Sequence, residues 1–446
     1  MKRFALVVWL LLLAIPVAAQ TLFVRSLPGG ATLLVSQEPD AKSVVIEAFF
    51  RVGVADENAA GESGLSALLT RTWASGGANR SASRIARDIG QFGTLGVFQT
   101  ADYIELWTQS DYADSEIAAQ TLLSNVVAAP VFPDSAVAEA KKEVTQDRTI
   151  RADALLGHAL EKLRARVFAL SPTGRDLLGD AENAGQLTVA GLRRFHARTV
   201  GSDASRAVFV VAGRMGADEA ERLVRSALAA GDFAPFRSAE TKKKETTPAL
   251  AVVPPGLRPL DLRRAAPTRL SLVGYAAPGT RTGATRTATL HVLDAVMGAG
   301  KDCRLFGLRD RLRDGETPIG YDITSRLEAG RDQSLWVAYV SGVEGTTETA
   351  TARIIGECRA VSDGSRPITD AELTRAKSLL IGKHRRERQR LTERASALGV
   401  AQVMGLGAGF EANYAERIGA VTLADVQELA REMFAANAGS VTTGSP

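Results

Sequence analysis

Val-Val-Ile-Glu-Ala-Phe-Phe-Arg-Val-Gly-Val, residues Val44–Val54, is the stretch on which the reading of this chain turns. It is dense in β-branched and aromatic residues, which favour a pleated strand. A glycine-punctuated segment, Asn58–Gly64, follows it. An apolar helical pattern then runs from Leu65 to about Trp73, a second from Ser83 to Phe92, and an alternating strand from Asp102 to Gln109. The same order returns later. Leu270–Ala277 (LSLVGYAA) is a strand, Pro278–Gly283 a turn, Ala284–Met297 and Cys303–Leu312 helices, and Ser334–Val343 a closing strand. Each half continues into a long amphipathic helix. One starts after Pro133-Asp134 and runs towards Phe168 with a break, and the other runs from the Thr369-Asp370 cap towards Met404. Capped helices near Thr188–Ala197 and Thr422–Ala435 close the halves. Between them Arg237–Pro259, with Lys242-Lys243-Lys244 and Pro254-Pro255, reads as a polar linker with a stiff exit. A repeated strand–helix–helix–strand–long-helix order predicts an α+β fold of two homologous domains, each a mostly antiparallel sheet packed with helices. The expected boundaries are 20–236, a linker at 237–262, and 263–446.

Residues 1–19 read as a signal peptide. Lys2 and Arg3 precede the apolar run Phe4–Pro16, and Val17-Ala18-Ala19 supplies small residues before a cut ahead of Gln20. The run is short for a membrane span, and no later stretch reaches the ~18 apolar residues one needs. The expectation is an exported, periplasmic protein with no membrane span. The formal charge of +4 falls to +2 without Lys2 and Arg3, so nothing points to nucleic acid. Cys303 and Cys358 are the only cysteines and the four histidines are scattered, which argues against a Cys/His metal cluster. An oxidising compartment permits a Cys303–Cys358 disulfide, and two buried thiols are equally compatible with the sequence.

The run Gly61-Glu62-Ser63-Gly64-Leu65-Ser66-Ala67-Leu68-Leu69-Thr70-Arg71-Thr72 resembles the helix that carries the inverted zinc motif H-x-x-E-H in the insulinase/pitrilysin peptidase family. That motif puts two histidines at i and i+4 on one helix face, with a glutamate between them to deprotonate metal-bound water. A downstream carboxylate on the long helix supplies the third ligand and leaves one position open. Here Ala67 and Arg71 stand at the histidine positions and Thr70 at that of the base. The third ligand falls near Asp147 or Arg148. The resemblance therefore implies a non-catalytic member that binds no metal. Further elements fit the same family in order along the chain. They are Ser171–Arg175, Gly179–Glu182, Leu187–Phe195 followed by Ala207–Gly213, Cys303–Phe306 and Thr422–Val426.

The resemblance also implies half of a clamshell-shaped peptidase. Active assemblies hold substrate through an Arg and a Tyr in the second domain, and Leu312–Tyr321 resembles that element with one residue extra. Arg313 and Tyr321 are the candidate substrate-binding residues, since guanidinium and phenol can both donate to a peptide carbonyl. The insertion leaves Arg309 and Arg311 as rivals to Arg313. A first-domain strand edge, here Phe92–Thr100 with Gly96 in place of the usual Asn, is where the family adds an extended peptide to its sheet.

Three other features read as structural. His158-Ala159-Leu160-Glu161-Lys162 lacks the second histidine and lies far downstream of the motif's place, so it is a surface His/Glu pair. The basic run Lys383–Arg390 has no interleaved aromatics and reads as a solvated or partner-facing helix side. Gly405–Gly409 lacks the Lys-Ser/Thr ending of a phosphate loop and reads as a helix exit. The expected function is a non-catalytic subunit of an exported zinc peptidase. It would pair with a homologous H-x-x-E-H chain that carries the zinc, hold no cofactor itself, and help bind and orient the peptide. The alternative is a structural or peptide-binding subunit with no role in proteolysis. A stand-alone hydrolase finds no nucleophile motif to support it.

Overall fold

The computed structural model describes residues 21–443 except 59–60, 79, 170, 238–249, 252, 255–257, 264–267, 311–319, 321 and 343–345. The Val44–Val54 stretch forms the strand Ser43–Phe50, inside a six-stranded sheet. The order across that sheet is Thr21–Ser26, Thr32–Gln37, Ala207–Gly213, Ser43–Phe50, Ile104–Asp111 and Gly93–Gln99. All its pairings are antiparallel except that of Thr32–Gln37 with Ala207–Gly213. The second sheet runs Asp322–Glu328, Gln333–Gly342, Arg269–Pro278, Gly439–Thr442 and Leu260–Asp261. Its long central strand is buried at every residue. The α+β class expected from the sequence is the class observed.

Both central strands read as near-continuous apolar runs because both of their faces are covered. In Ser43–Phe50 the residues Val44, Ile46, Ala48 and Phe50 pack with Leu65, Leu68 and Leu69 of the helix Leu65–Thr72 and other first-half residues. The alternate residues Val45 and Phe49 pack instead with Ala395 and Leu398 of the helix Leu391–Val403, which the second half supplies. The second sheet mirrors this. Val273, Tyr275 and Ala277 face Leu290, Leu293 and Val296 of its own half. Leu270, Leu272 and Ala276 face Leu160, Leu163 and Val167 of the helix Leu155–Val167, which belongs to the first half.

The halves have thus exchanged helices. Each long helix breaks to do so: Asp134–Asp153 gives way at the extended residue Ala154 to Leu155–Val167, and Asp370–Glu387 to Leu391–Val403. Glycines admit the two crossing helices. A Cβ on Gly274 would stand 2.9 Å from Leu163 Cδ2, and one on Gly399 would stand 2.0 Å from Phe49 Cε2. Ion pairs join the halves at the rims. Arg394 forks onto Glu38 at 2.9 and 2.6 Å, and Arg164 pairs with Glu328. Asp102 accepts the Arg331 N–H at 3.2 Å, and burial lifts its carboxyl to about pH 6. No described helix is long and apolar enough to cross a membrane.

Several elements escape the sequence reading: the N-terminal hairpin Thr21–Gln37, the helices Ala217–Ala230 and Thr347–Ser362, and the strand Asp322–Glu328. Cys303 and Cys358 are buried free thiols. The expected signal peptide and most of the expected linker lie outside the described residues.

Candidate functional site: an ion pair at the motif helix

The motif helix Leu65–Thr72 begins at Gly64, whose φ of +101° is left-handed backbone suited to glycine. The buried Glu57 carboxylate takes the helix's first free donors. It accepts from Gly64 N at 3.0 Å, Ser66 N at 2.8 Å and Ser66 Oγ at 2.5 Å. Burial pushes Glu57 above the usual carboxylate range while the Ser66 bonds pull it back. Arg175 secures the preceding loop by donating to the carbonyls of Val54 and Glu57 at 2.9 and 2.6 Å.

The three motif positions follow on one face. Ala67 is buried. Thr70 Oγ1 lies 2.9 Å from Ser66 O and 3.1 Å from Gln99 Oε1. Gln99 Nε2 in turn donates to Ser66 Oγ at 3.1 Å, so the last residue of the strand Gly93–Gln99 is fastened to the motif helix. Arg71 donates to Ala67 O at 3.1 Å and pairs with the carboxylate of Asp147 on the long helix Asp134–Asp153. Arg148 turns away and donates to the carbonyls of Leu178 and Gly179 at 2.5 and 2.8 Å. Asp147 is therefore the residue that faces the motif helix.

This donor set does not fit zinc. Methyl and guanidinium groups cannot ligate a cation, a threonine hydroxyl is no general base near neutrality, and Asp147 is already neutralised by Arg71. The arginine puts its charge beside the carboxylate that a metal would otherwise share. Among the described residues no group of three or more His, Cys, Asp or Glu side chains could hold a metal ion. The purified, dialysed protein is accordingly expected to carry no stoichiometric zinc. One tightly held zinc per chain by metal analysis would overturn the placement of the motif on Leu65–Thr72.

The strand Gly93–Gln99 ends the first sheet, bonded on one side to Ile104–Asp111. Gly96 on it has a steric reason that the sequence hides: a Cβ there would lie 2.3 Å from Trp107 Nε1. Phe98 on the same strand is 53% exposed.

Arg313, Arg311 and Tyr321 lie outside the described residues. Their rival Arg309 sits over the Phe306 ring at 4.7 Å. His158 lies on the crossing helix Leu155–Val167, and Glu161 beside it pairs with Lys162. The basic run is only in part solvated, because His384 and Arg388 turn inward onto Glu411 at 2.9 and 3.1 Å, while Arg385 and Arg386 are exposed. The helix exit at Gly405–Gly409 is as expected, with Gly405 and Gly407 both left-handed. Sequence reasoning missed Glu57, Gln99 and the Arg71–Asp147 pairing. A trace of the first was available, since a carboxylate seven residues ahead of a helix with no acidic cap can serve that helix's N-terminus.

Residues 186–380 match the family profile described as the peptidase M16 inactive domain. An uncharacterized zinc protease of Mycobacterium leprae is 26% identical over 425 residues, covering 94% of this chain and 91% of that protein. A solved peptidase M16 inactive domain from Pseudomonas fluorescens superposes with a TM-score of 0.80 at 17% identity, over 96% of this chain and 98% of that one. A protease from Helicobacter pylori does so with a TM-score of 0.79 at 15% identity, over 95% and 99%. Motif, fold and matches agree in their direction: over residues 186–380 the chain is similar to the peptidase M16 inactive domain, its fold is that of the solved M16 structures, and Ala67, Thr70 and Arg71 stand where the insulinase/pitrilysin motif has its zinc ligands and base.

Proposed function

We propose that this chain is the non-catalytic subunit of an exported, periplasmic two-chain peptidase. A homologous partner bearing an intact H-x-x-E-H helix supplies the zinc and the hydrolysis. This chain supplies the other half of the chamber and helps bind and orient the peptide. The observation that carries the reading is the Arg71–Asp147 pair, an ion pair standing where the resembled motif would hold its metal, within a fold like that of the solved M16 structures. Peptide holding finds support in the terminal strand Gly93–Gln99, which can accept an extended segment by β-addition. Within this reading Arg313 and Tyr321 reach into the partner's catalytic site and donate to the substrate carbonyl. The basic and apolar N-terminus, Lys2 to Ala19, supports export.

The test is a peptidase assay on this chain, on the H-x-x-E-H partner, and on their mixture. The expected result is no hydrolysis by this chain and a partner rate that rises on mixing and is abolished by chelator. Chelator-insensitive hydrolysis by this chain alone would end the reading. A partner rate unchanged by stoichiometric binding would leave a structural subunit.

A further inference from the structure

On the face of the first sheet opposite the motif helix, the second crossing helix Leu391–Val403 does not close tightly over the strands. It leaves a cavity of about 660 Å³, within the ~300–1,000 Å³ typical of small-molecule sites. Glu47, Glu105 and Trp107 line its floor, and Ser396, Ala397 and Val400 its roof. The register explains the floor. Glu47 pairs with Trp107 across the strands Ser43–Phe50 and Ile104–Asp111, and Phe49 with Glu105, so these side chains share one face.

Both carboxylates lie inside the protein, Glu47 at 2% and Glu105 at 7% exposure. Glu47 Oε2 is buried with no hydrogen-bond partner among the described residues. Glu105 accepts from the Ser396 hydroxyl at 3.5 Å, its one side-chain partner among the described residues. An ionised carboxylate in such a place is strongly disfavoured unless a cation meets it. The other charged groups around the cavity are already engaged. Glu411 takes Arg388 and His384, Glu387 lies 3.8 Å from Lys383, and Glu393 accepts the Arg390 N–H at 3.2 Å. Burial accordingly drives Glu47 well above the usual carboxylate range, helped by the Glu105 charge, and lifts Glu105 to about 7.

We propose that this cavity binds a small organic cation, an alkylguanidinium or alkylammonium, between the carboxylates of Glu47 and Glu105. Two carboxylates can take the two edges of a guanidinium or two ammonium protons. Trp107 lines the same cavity with an aromatic ring able to attract a cation, and Ala397 and Val400 offer apolar contact for the alkyl body. A metal ion fits less well, because no third ligating side chain joins the pair among the described residues. The same chemistry could come from a free amine or from an Arg or Lys side chain on a peptide. The inference is independent of any role in proteolysis.

Calorimetric titration of the full mature chain with agmatine, with a blocked Ala-Arg-Ala tripeptide, and with uncharged 1,4-butanediol tests it. Agmatine is expected to bind and butanediol not. Because the cation favours the ionised carboxylates, binding should strengthen as pH rises from 5 to 8 and release protons below about pH 7, read from titrations in buffers of different ionisation enthalpy. Glu47→Gln and Glu105→Gln should each weaken agmatine binding by about tenfold or more, as loss of a charged hydrogen bond does. Tripeptide binding equal to that of agmatine would assign the site to a peptide side chain, and agmatine binding alone to a free amine. Absence of binding by both cations, or undiminished binding in the two Gln variants, would overturn the proposal. The variants should fold. A carboxyl whose folded pKa is raised loses stability as pH climbs from its unfolded value through about 7, so Glu105→Gln should melt no lower than wild type at pH 8.

Discussion

In the proposed two-chain enzyme, once reconstituted, Arg313→Ala and Tyr321→Phe are each expected to lower peptide turnover by about 10²–10³, with assembly intact on gel filtration. That is the usual loss for one donor to a developing oxyanion in a dry, preorganised site. Tyr321→Phe is the more discriminating of the two, because it removes the hydroxyl and keeps the ring that packing would need. Arg309→Ala serves as the register control. Arg309 already spends its guanidinium on the Phe306 ring, so its loss should change turnover far less. If both test variants turn over peptide at the wild-type rate, these residues have no part in catalysis and the chain is a structural partner.

Leu163→Ala is expected to destabilise the protein by about 2–5 kcal/mol, the range for truncating a well-packed buried leucine. Leu163 is fully buried among Leu272, Leu335 and Val337 and lies against Gly274. It belongs to the first half of the sequence, yet its packing partners are strands of the second. The loss should therefore appear as faster amide exchange in Arg269–Pro278 and Gln333–Gly342, within a single cooperative melt. The reciprocal change, Gly399→Val, forces a side chain against the packed Phe49 ring and should loosen Ser43–Phe50 in the first sheet. Two separate thermal transitions, with Leu163→Ala moving only the first-half one, would show that the exchanged helices do not couple the halves.

The elements most legible from sequence were those whose period or punctuation is strong. Val44–Val54 and Leu270–Ala277 read as strands because β-branched residues crowd them, and the structure places both at the centres of sheets. The caps Thr188, Thr369 and Thr422 marked helix starts within a residue or two, each accepting the backbone N–H expected of it. That the motif helix carries no zinc-ligating side chains was legible from three letters, Ala67, Thr70 and Arg71, since the chemistry of ligation depends on side-chain type alone. The strands Thr21–Ser26 and Asp322–Glu328 were not legible, because short strands that are mostly half-buried or exposed carry little alternation.

The sequence by itself determined the α+β class, the doubled order of elements and the absence of zinc ligands on the motif helix. Only the tertiary structure decided which surface each helix covers. An apolar stripe states that a face will be buried and not against what, and both sheets offer an apolar face to receive it. Ala154 shows the difficulty, for neither proline nor glycine marks the break there; the chain turns because Leu160 and Leu163 must land on the second sheet. The same holds for polar contacts of long separation. Arg71 and Asp147 lie 76 residues apart, and Glu47 meets its helix roof from more than three hundred positions away, so local pattern carries no trace of either encounter.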